Sequence, residues 1–197
     1  AELRAEARIV LAEVRQQIGR SAEALADLEA LFKDRPDDRG VRTALARARL
    51  LQGDRKGARA LFDETIKESD AQKLDLDDPD QLTHLAVAAR FAEQFQLSND
   101  AFREAMRLRP RSTDTGVEWA DLFLQKYSAG YAEQTLEEVF KVNPNHPDAH
   151  AAMAQLILET RYDLAAVRHH LDAALAVNPR NARALKVRAS IAIDRNE

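Results

Sequence analysis

The sequence predicts an all-α fold, a stack of about five helix-turn-helix repeats followed by a terminal helix, and three observations support this prediction. Prolines recur at a period near 34 residues, apolar residues recur at spacings of three and four, and strand signals are lacking. A fixed period of this length decides the architecture before any single motif does.

Four similar segments mark the period, and their sequences are FKDRPDD, MRLRPRS, FKVNPNH and LAVNPRN. Their prolines are Pro36, Pro110, Pro144 and Pro179, of which the last three are 34 and 35 residues apart. The first interval is 74 residues, which is close to two periods plus about six residues. The missing marker falls at Asp70, and the extra residues form an acidic insertion at 70–80.

These intervals predict one repeat domain over residues 1–197. Its units lie near 5–38, 39–72, 79–112, 113–146 and 147–181, and the terminal helix covers 182–196.

Within each unit the same apolar residues recur at matching offsets. In the first helices a large residue precedes a small one, at Leu11 and Ala12, Leu45 and Ala46, Leu85 and Ala86, Trp119 and Ala120, and Met153 and Ala154. The second helices carry Ala24, Leu28 and Leu31, then Ala58, Phe62 and Ile66, Phe102, Ala105 and Met106, Ala132, Leu136 and Phe140, and Leu171, Ala174 and Leu175. Spacings of three and four mark one helix face, so each unit is predicted to be two amphipathic helices. Gly19, Gly53 and Gly130 are predicted to lie in the turns between them.

Composition and charge narrow the partners. The chain has 29 Lys and Arg against 33 Asp and Glu, a net charge of -4, and a sequence pI near 5.8. Nucleic-acid binders concentrate basic residues on one face, so we expect no nucleic-acid partner. The absence of cysteine excludes disulfides and zinc-thiolate clusters, and no window approaches the ~18 apolar residues of a membrane span. The compartment stays open, and because residue 1 is Ala we expect a processed chain or an excised segment.

This pattern resembles the tetratricopeptide repeat (TPR) family, in particular the arrays of long bacterial TPR proteins. The family motif is a 34-residue helix-turn-helix with a large then a small residue in the first helix, and Pro at the end. The resemblance implies a right-handed solenoid. Departures fall at Asp70 in place of proline, at Ser98 and Val167 in place of the second-helix Ala, and at Gly116.

The resemblance also implies a concave groove lined by the first helices, which binds a protein or peptide. The second, fifth, ninth, twelfth and thirteenth positions of each unit line that groove in the family. In this sequence they supply Ile9, Glu13, Thr43, Arg47, Leu50, Leu51, Thr83, Val87, Arg90, Phe91, Val117, Asp121, Leu124 and Gln125.

Candidates for metal binding or catalysis are weak, and we predict no metal, no cofactor and no catalytic residue. The run Asp75, Asp77, Asp78 and Asp80 lacks the Gly and Glu of a calcium loop, so it is interpreted as a loop that caps the next helix. His146, in the loop before a helix, and His150 are interpreted as solvated, and His169 and His170 as surface residues. His84 is interpreted as a groove-edge or packing residue.

Two other signals are also interpreted structurally. The six glycines are scattered singly, so no phosphate-binding loop is indicated. Trp119, Phe123, Tyr127 and Tyr131 are spaced by three and four residues, which predicts a buried stripe more than a stacking platform.

The sequence therefore predicts a non-enzymatic scaffold that binds a protein or peptide. The alternative is a catalytically inert recruitment segment of a larger enzyme, such as a bacterial metallopeptidase. A third hypothesis is self-association through the apolar terminal helix at 182–196.

Overall fold

A computed structural model describes residues 2–126 and 128–194, and these residues form eleven α-helices and no strand. The predicted all-α fold class is confirmed. The helices are α1 Glu2–Gln17, α2 Ser21–Asp34, α3 Arg39–Leu51, α4 Arg55–Asp70, α5 Pro79–Phe91, α6 Phe95–Leu108, α7 Thr113–Gln125, α8 Ala129–Val142, α9 Pro147–Thr160, α10 Leu164–Val177 and α11 Ala182–Asp194. Tyr127 and the last residues of the predicted helix 182–196 lie outside the described residues.

The helices belong to two compact units, unit 1 at residues 1–108 and unit 2 at residues 109–197. In unit 1, each odd-numbered helix packs on the even-numbered helix that follows it, and α3 also packs on both α1 and α5. In unit 2, α9 packs on α7, α8, α10 and α11. We call the odd-numbered helices first helices and the even-numbered helices second helices. The predicted repeat boundaries stay a prediction.

Proline residues lie in loops between the helices, and aspartate residues cap the first turns of helices. Pro36 lies in the loop between α2 and α3, and Pro144 lies between α8 and α9, where the missing N–H of proline costs nothing. Asp38 caps α3 by accepting a hydrogen bond from the backbone N–H of Val41 at 3.1 Å. Asp78 caps α5 in the same way, which confirms the capping role predicted for the acidic run.

The turns inside the repeats require left-handed backbone. Gly19 and Gly53 adopt φ of 83° and 82°, as predicted, because glycine enters this region at no steric cost. Glu93 and Tyr162 adopt φ of 63° and 51° in the turns after α5 and α9. The prediction for Gly130 is wrong, because this residue lies inside α8 and not in a turn.

Small side chains let the helices approach closely. The five predicted alanines of the first helices are all 0% exposed, namely Ala12, Ala46, Ala86, Ala120 and Ala154. Ser98, which replaces the usual alanine of a second helix, is also fully buried, and its hydroxyl donates to the Ala86 carbonyl at 2.8 Å. This hydrogen bond explains how a polar residue is tolerated there.

Enlarging one of these alanines should destabilise the fold. We expect Ala154→Leu to lower the free energy of unfolding by about 1–3 kcal/mol, because a close-packed site must shift to admit three more carbons. Ala176→Leu in α10 is the matched control, since Ala176 is exposed and the change should stay within about 0.5 kcal/mol. Thermal unfolding followed by circular dichroism measures both variants, and equal melting temperatures would contradict the packing assigned to Ala154.

Candidate functional site

The first helices of unit 1 form one continuous surface, which we call surface 1. A Cβ atom placed on Gly40, at the start of α3, would lie 3.6 Å from Cδ1 of Ile9 in α1 and 3.5 Å from Nε2 of His84 in α5. Side chains from α1 and α5 therefore meet at this glycine of α3. Gly40 leaves the space that lets Ile9 and His84 approach α3.

The predicted groove residues of unit 1 differ in exposure. Glu13 is exposed and Leu51 is 67% exposed, whereas Thr43, Val87 and Arg90 are only 6%, 1% and 8% exposed. The remaining predicted residues are half-buried, and they are Ile9, Arg47, Leu50, Thr83 and Phe91. Val87 thus offers almost no area to a ligand. The accessible part of surface 1 runs through the exposed and half-buried residues.

Arg90 and Phe91 take part in packing within unit 1. The ring of Phe91 is parallel to that of Phe62 in α4, with centroids 5.0 Å apart. The guanidinium carbon of Arg90 lies 5.0 Å from the centre of the Phe91 ring. The stacked rings therefore join the end of α5 to α4, and the cation–π contact lies within α5.

The charge of Arg47 affects the pKa of His84 at the centre of surface 1. Burial lowers the pKa of His84 below its usual value, and the positive charge of Arg47 lowers it further. The carboxylates of Asp80, Asp38 and Asp78 oppose this shift. A neutral imidazole beside a guanidinium suits a partner that brings hydrogen-bond acceptors. The prediction that His84 is a groove-edge or packing residue agrees with its half-buried position.

In unit 2, polar pairs join first helices to one another. Arg183 of α11 donates to Asp121 of α7 at 2.6 Å, and Asn181, just before α11, donates to Asp148 of α9 at 2.7 Å. Burial lowers the pKa of Arg183, but the charge and hydrogen bond of Asp121, together with the charges of Asp148 and Glu118, raise it above its usual value. Asp121, a predicted groove residue, is thus already bound to a cation of the same unit.

The other predicted groove residues of unit 2 are less engaged. Val117 is 6% exposed, Leu124 is half-buried and Gln125 is exposed. An accessible patch therefore remains at the C-terminal end of α7.

The histidine predictions need correction. His146 and His150 are only 6% and 8% exposed, so they are not solvated. His146 does precede α9, as predicted, and it caps that helix while its Nε2 atom lies 3.1 Å from Asp114. His169 is exposed as expected, but His170 is half-buried and contacts His150. Sequence reasoning missed this contact because the two imidazoles come from different helices.

The aromatic stripe is only partly buried. The ring of Phe123 lies 5.7 Å from that of Trp119 and 5.4 Å from that of Tyr131. Trp119 and Phe123 are half-buried, but Tyr131 is 65% exposed, so the predicted burial is wrong for Tyr131. This residue lies in the first turn of α8, where the Phe123 ring covers one side of it.

The described part of the chain has neither a cluster of metal-binding side chains nor a membrane-spanning helix. No group of three or more His, Asp or Glu side chains there is arranged to hold a metal ion. None of the helices between residues 2 and 194 is both long and apolar enough to cross a membrane.

The terminal helix α11 turns three apolar residues inward. Ala184, Val187 and Ile191 are buried in the core of unit 2, and Ile193 is 74% exposed. Self-association through this helix stays a prediction.

Paired helices with small residues at their contacts and surfaces lined by first helices define a helical repeat protein. Comparison with known proteins identifies the kind of repeat. Residues 9–73 match the tetratricopeptide repeat family by sequence. None of the curated proteins matches the chain.

Solved structures extend this likeness to nearly the whole chain. A thermophilic TPR protein of Thermus thermophilus is similar with a TM-score of 0.68 and 18% identity, over 95% of this chain and 97% of that one. PilF of Pseudomonas aeruginosa is similar with a TM-score of 0.55 and 19% identity, over 98% and 84% of the two chains. YrrB, described as a TPR protein with an unusual peptide-binding site, is similar with a TM-score of 0.53 and 15% identity, over 92% of this chain and 90% of that one.

The fold of this chain is therefore a TPR array, which confirms the resemblance drawn from its sequence. Such a fold suggests a scaffold for protein–protein interaction, and TPR proteins are generally non-catalytic.

Proposed function

We propose that this protein is a non-enzymatic scaffold that binds a peptide segment of a partner on surface 1. The observation that carries the proposal is the meeting of α1, α3 and α5 around Gly40, because one ligand could then contact all three helices. Half-buried Ile9 and Leu50 and exposed Leu51 supply apolar contacts, and Arg47 supplies a cation.

This mixture of groups suits a peptide. Apolar side chains of a bound segment need apolar contacts, and its backbone carbonyls need donors. YrrB shares the fold and is described as having a peptide-binding site, which supports a peptide as the ligand class. We propose Arg47 and Leu51 as the main contacts, because both are accessible and lie one helical turn apart on α3.

The test uses peptides selected by the full chain from a displayed library of random 12-residue peptides. We expect Arg47→Glu combined with Leu51→Glu to weaken the binding of those peptides at least tenfold in fluorescence anisotropy titrations. Charge reversal would repel carboxylates of the ligand, and the second change removes an apolar contact. Helicity should be retained because both side chains reach solvent.

The matched control is Lys56→Glu combined with Leu76→Glu. Lys56 is exposed on the second helix α4 and Leu76 is 59% exposed in the loop before α5, so the pair has the same change in charge and apolar area. The control should bind as the unmodified chain does. Equal binding by both double variants would exclude surface 1, and failure to select any peptide would contradict the proposed ligand class.

A further inference from the structure

An imidazole pair joins two helices of unit 2. Nδ1 of His150 in α9 lies 2.8 Å from Nδ1 of His170 in α10. Nε2 of His150 lies 2.9 Å from the carbonyl oxygen of Pro144, in the loop before α9. The Phe140 ring of α8 lies against both imidazoles, with centroids 4.6 Å and 6.0 Å away. The pair therefore sits where α8, α9 and α10 meet.

The hydrogen-bond partners determine where the protons are. A carbonyl oxygen only accepts, so Nε2 of His150 carries a proton and donates it to Pro144. In the neutral ring Nδ1 of His150 is then an acceptor, and Nδ1 of His170 must be the donor. One additional proton can bind at Nε2 of His170 without breaking this bond. A second additional proton, at Nδ1 of His150, would place two N–H donors opposite each other and two positive charges side by side, so the hydrogen bond would be lost.

We propose that the His150–His170 pair is a pH-sensitive clasp, which holds α9 to α10 while it carries at most one extra proton and releases them when it binds two. α9 is the central first helix of unit 2 and packs on every other helix of that unit. Release of the clasp therefore loosens the helix that organises unit 2.

The surroundings of the pair disfavour positive charge. Burial lowers the pKa of both imidazoles. The charges of His150 and His169 lower the pKa of His170 further, to about 4. His169 of α10 and His146, just before α9, lower the pKa of His150 further, whereas the hydrogen bond to Pro144 opposes this shift. Asp114 of α7 pairs with His146. The ring of Phe140 in α8 contacts His150. Neither imidazole forms an ion pair with a carboxylate of the described residues.

The sign of the pH effect follows from these pKa values. In the unfolded chain each imidazole binds a proton near its ordinary pKa of about 6.5. In the folded chain His170 takes its extra proton only near pH 4. The unfolded state therefore binds more protons in this interval, and the stability that the clasp contributes above pH 6.5 is lost as the pH falls towards 4.

The test compares the pH dependence of unfolding in the full chain and in His170→Asn. An amide can present either its N–H or its oxygen to His150, so this variant keeps a hydrogen bond but accepts the protonated ring. A fall in the pKa of His170 from about 6.5 in the unfolded chain to about 4 in the folded chain would change the folded-to-unfolded ratio about 20-fold between pH 7 and pH 5. Because His170 is half-buried, we expect a smaller effect: between pH 7 and pH 5 the folded-to-unfolded ratio should fall about tenfold more in the native chain than in the variant.

The matched control is His169→Asn, since His169 is the exposed neighbour in the same helix. It should show the pH dependence of the native chain, whereas the same dependence in His170→Asn would overturn the proposal. Imidazole NMR of the native chain gives an independent result even if His170→Asn fails to fold. We expect a proton on Nε2 of His150 and on Nδ1 of His170 at pH 7. Titration of His170 near the ordinary pKa of about 6.5 would also overturn the clasp.

Discussion

Replacing Glu68 with Ala is expected to lower the free energy of unfolding by about 3–5 kcal/mol, because it leaves a buried positive charge without its partner. One carboxylate oxygen of Glu68 lies 2.9 Å from Nη1 of Arg42, and the other lies 2.8 Å from Nε of Arg39. The side chains of Arg42 and Glu68 are only 4% and 16% exposed. Urea unfolding of the full chain followed by circular dichroism measures the loss.

Two control variants separate this effect from the general loss of a surface charge. Glu68→Gln retains an acceptor oxygen and should cost less than Glu68→Ala. Glu64 pairs with Lys67 at 3.6 Å on the exposed side of the same helix, so Glu64→Ala should cost less than about 1 kcal/mol. Similar losses for Glu64→Ala and Glu68→Ala would show that the network around Arg42 adds no stability.

This network also shows where sequence reasoning stops. Periodicity identified the helices and their packed alanines, because burial of one helix face leaves a regular mark on the sequence. Glu64 and Glu68 look alike in the sequence, four residues apart on α4. Only the course of α3 decides that Glu68 meets two arginines while Glu64 faces solvent. Pairings between helices depend on exact positions that a local pattern does not contain.

The same reason explains the results for the candidate site. The family positions correctly placed the predicted residues on first helices, but they did not distinguish Val87, which is 1% exposed, from Leu51, which is 67% exposed. The sequence around Asp121 does not indicate that this residue binds Arg183, which lies 62 residues later in the chain. The position of a residue within a repeat therefore predicts its helix face better than its availability to a ligand.

Phe102→Ala should be as damaging as the loss of Glu68, for a purely apolar reason. Phe102 is 0% exposed and is among the largest fully buried side chains in the described residues. Removal of its ring leaves a cavity in α6 where that helix packs on α5. Lost transfer free energy and the cavity together cost about 3–5 kcal/mol for such a change, so the urea midpoint should fall markedly.

The control for Phe102→Ala is Tyr131→Ala, which also removes an aromatic ring. Tyr131 is 65% exposed and makes a tilted contact with Phe123, so its loss should cost less than about 1 kcal/mol. Phe102→Leu should fall between the two alanine variants, because leucine fills part of the cavity. If Phe102→Ala unfolds at the same urea concentration as Tyr131→Ala, the ring does not contribute to the core, and the packing of α6 on α5 is not as the structure shows it.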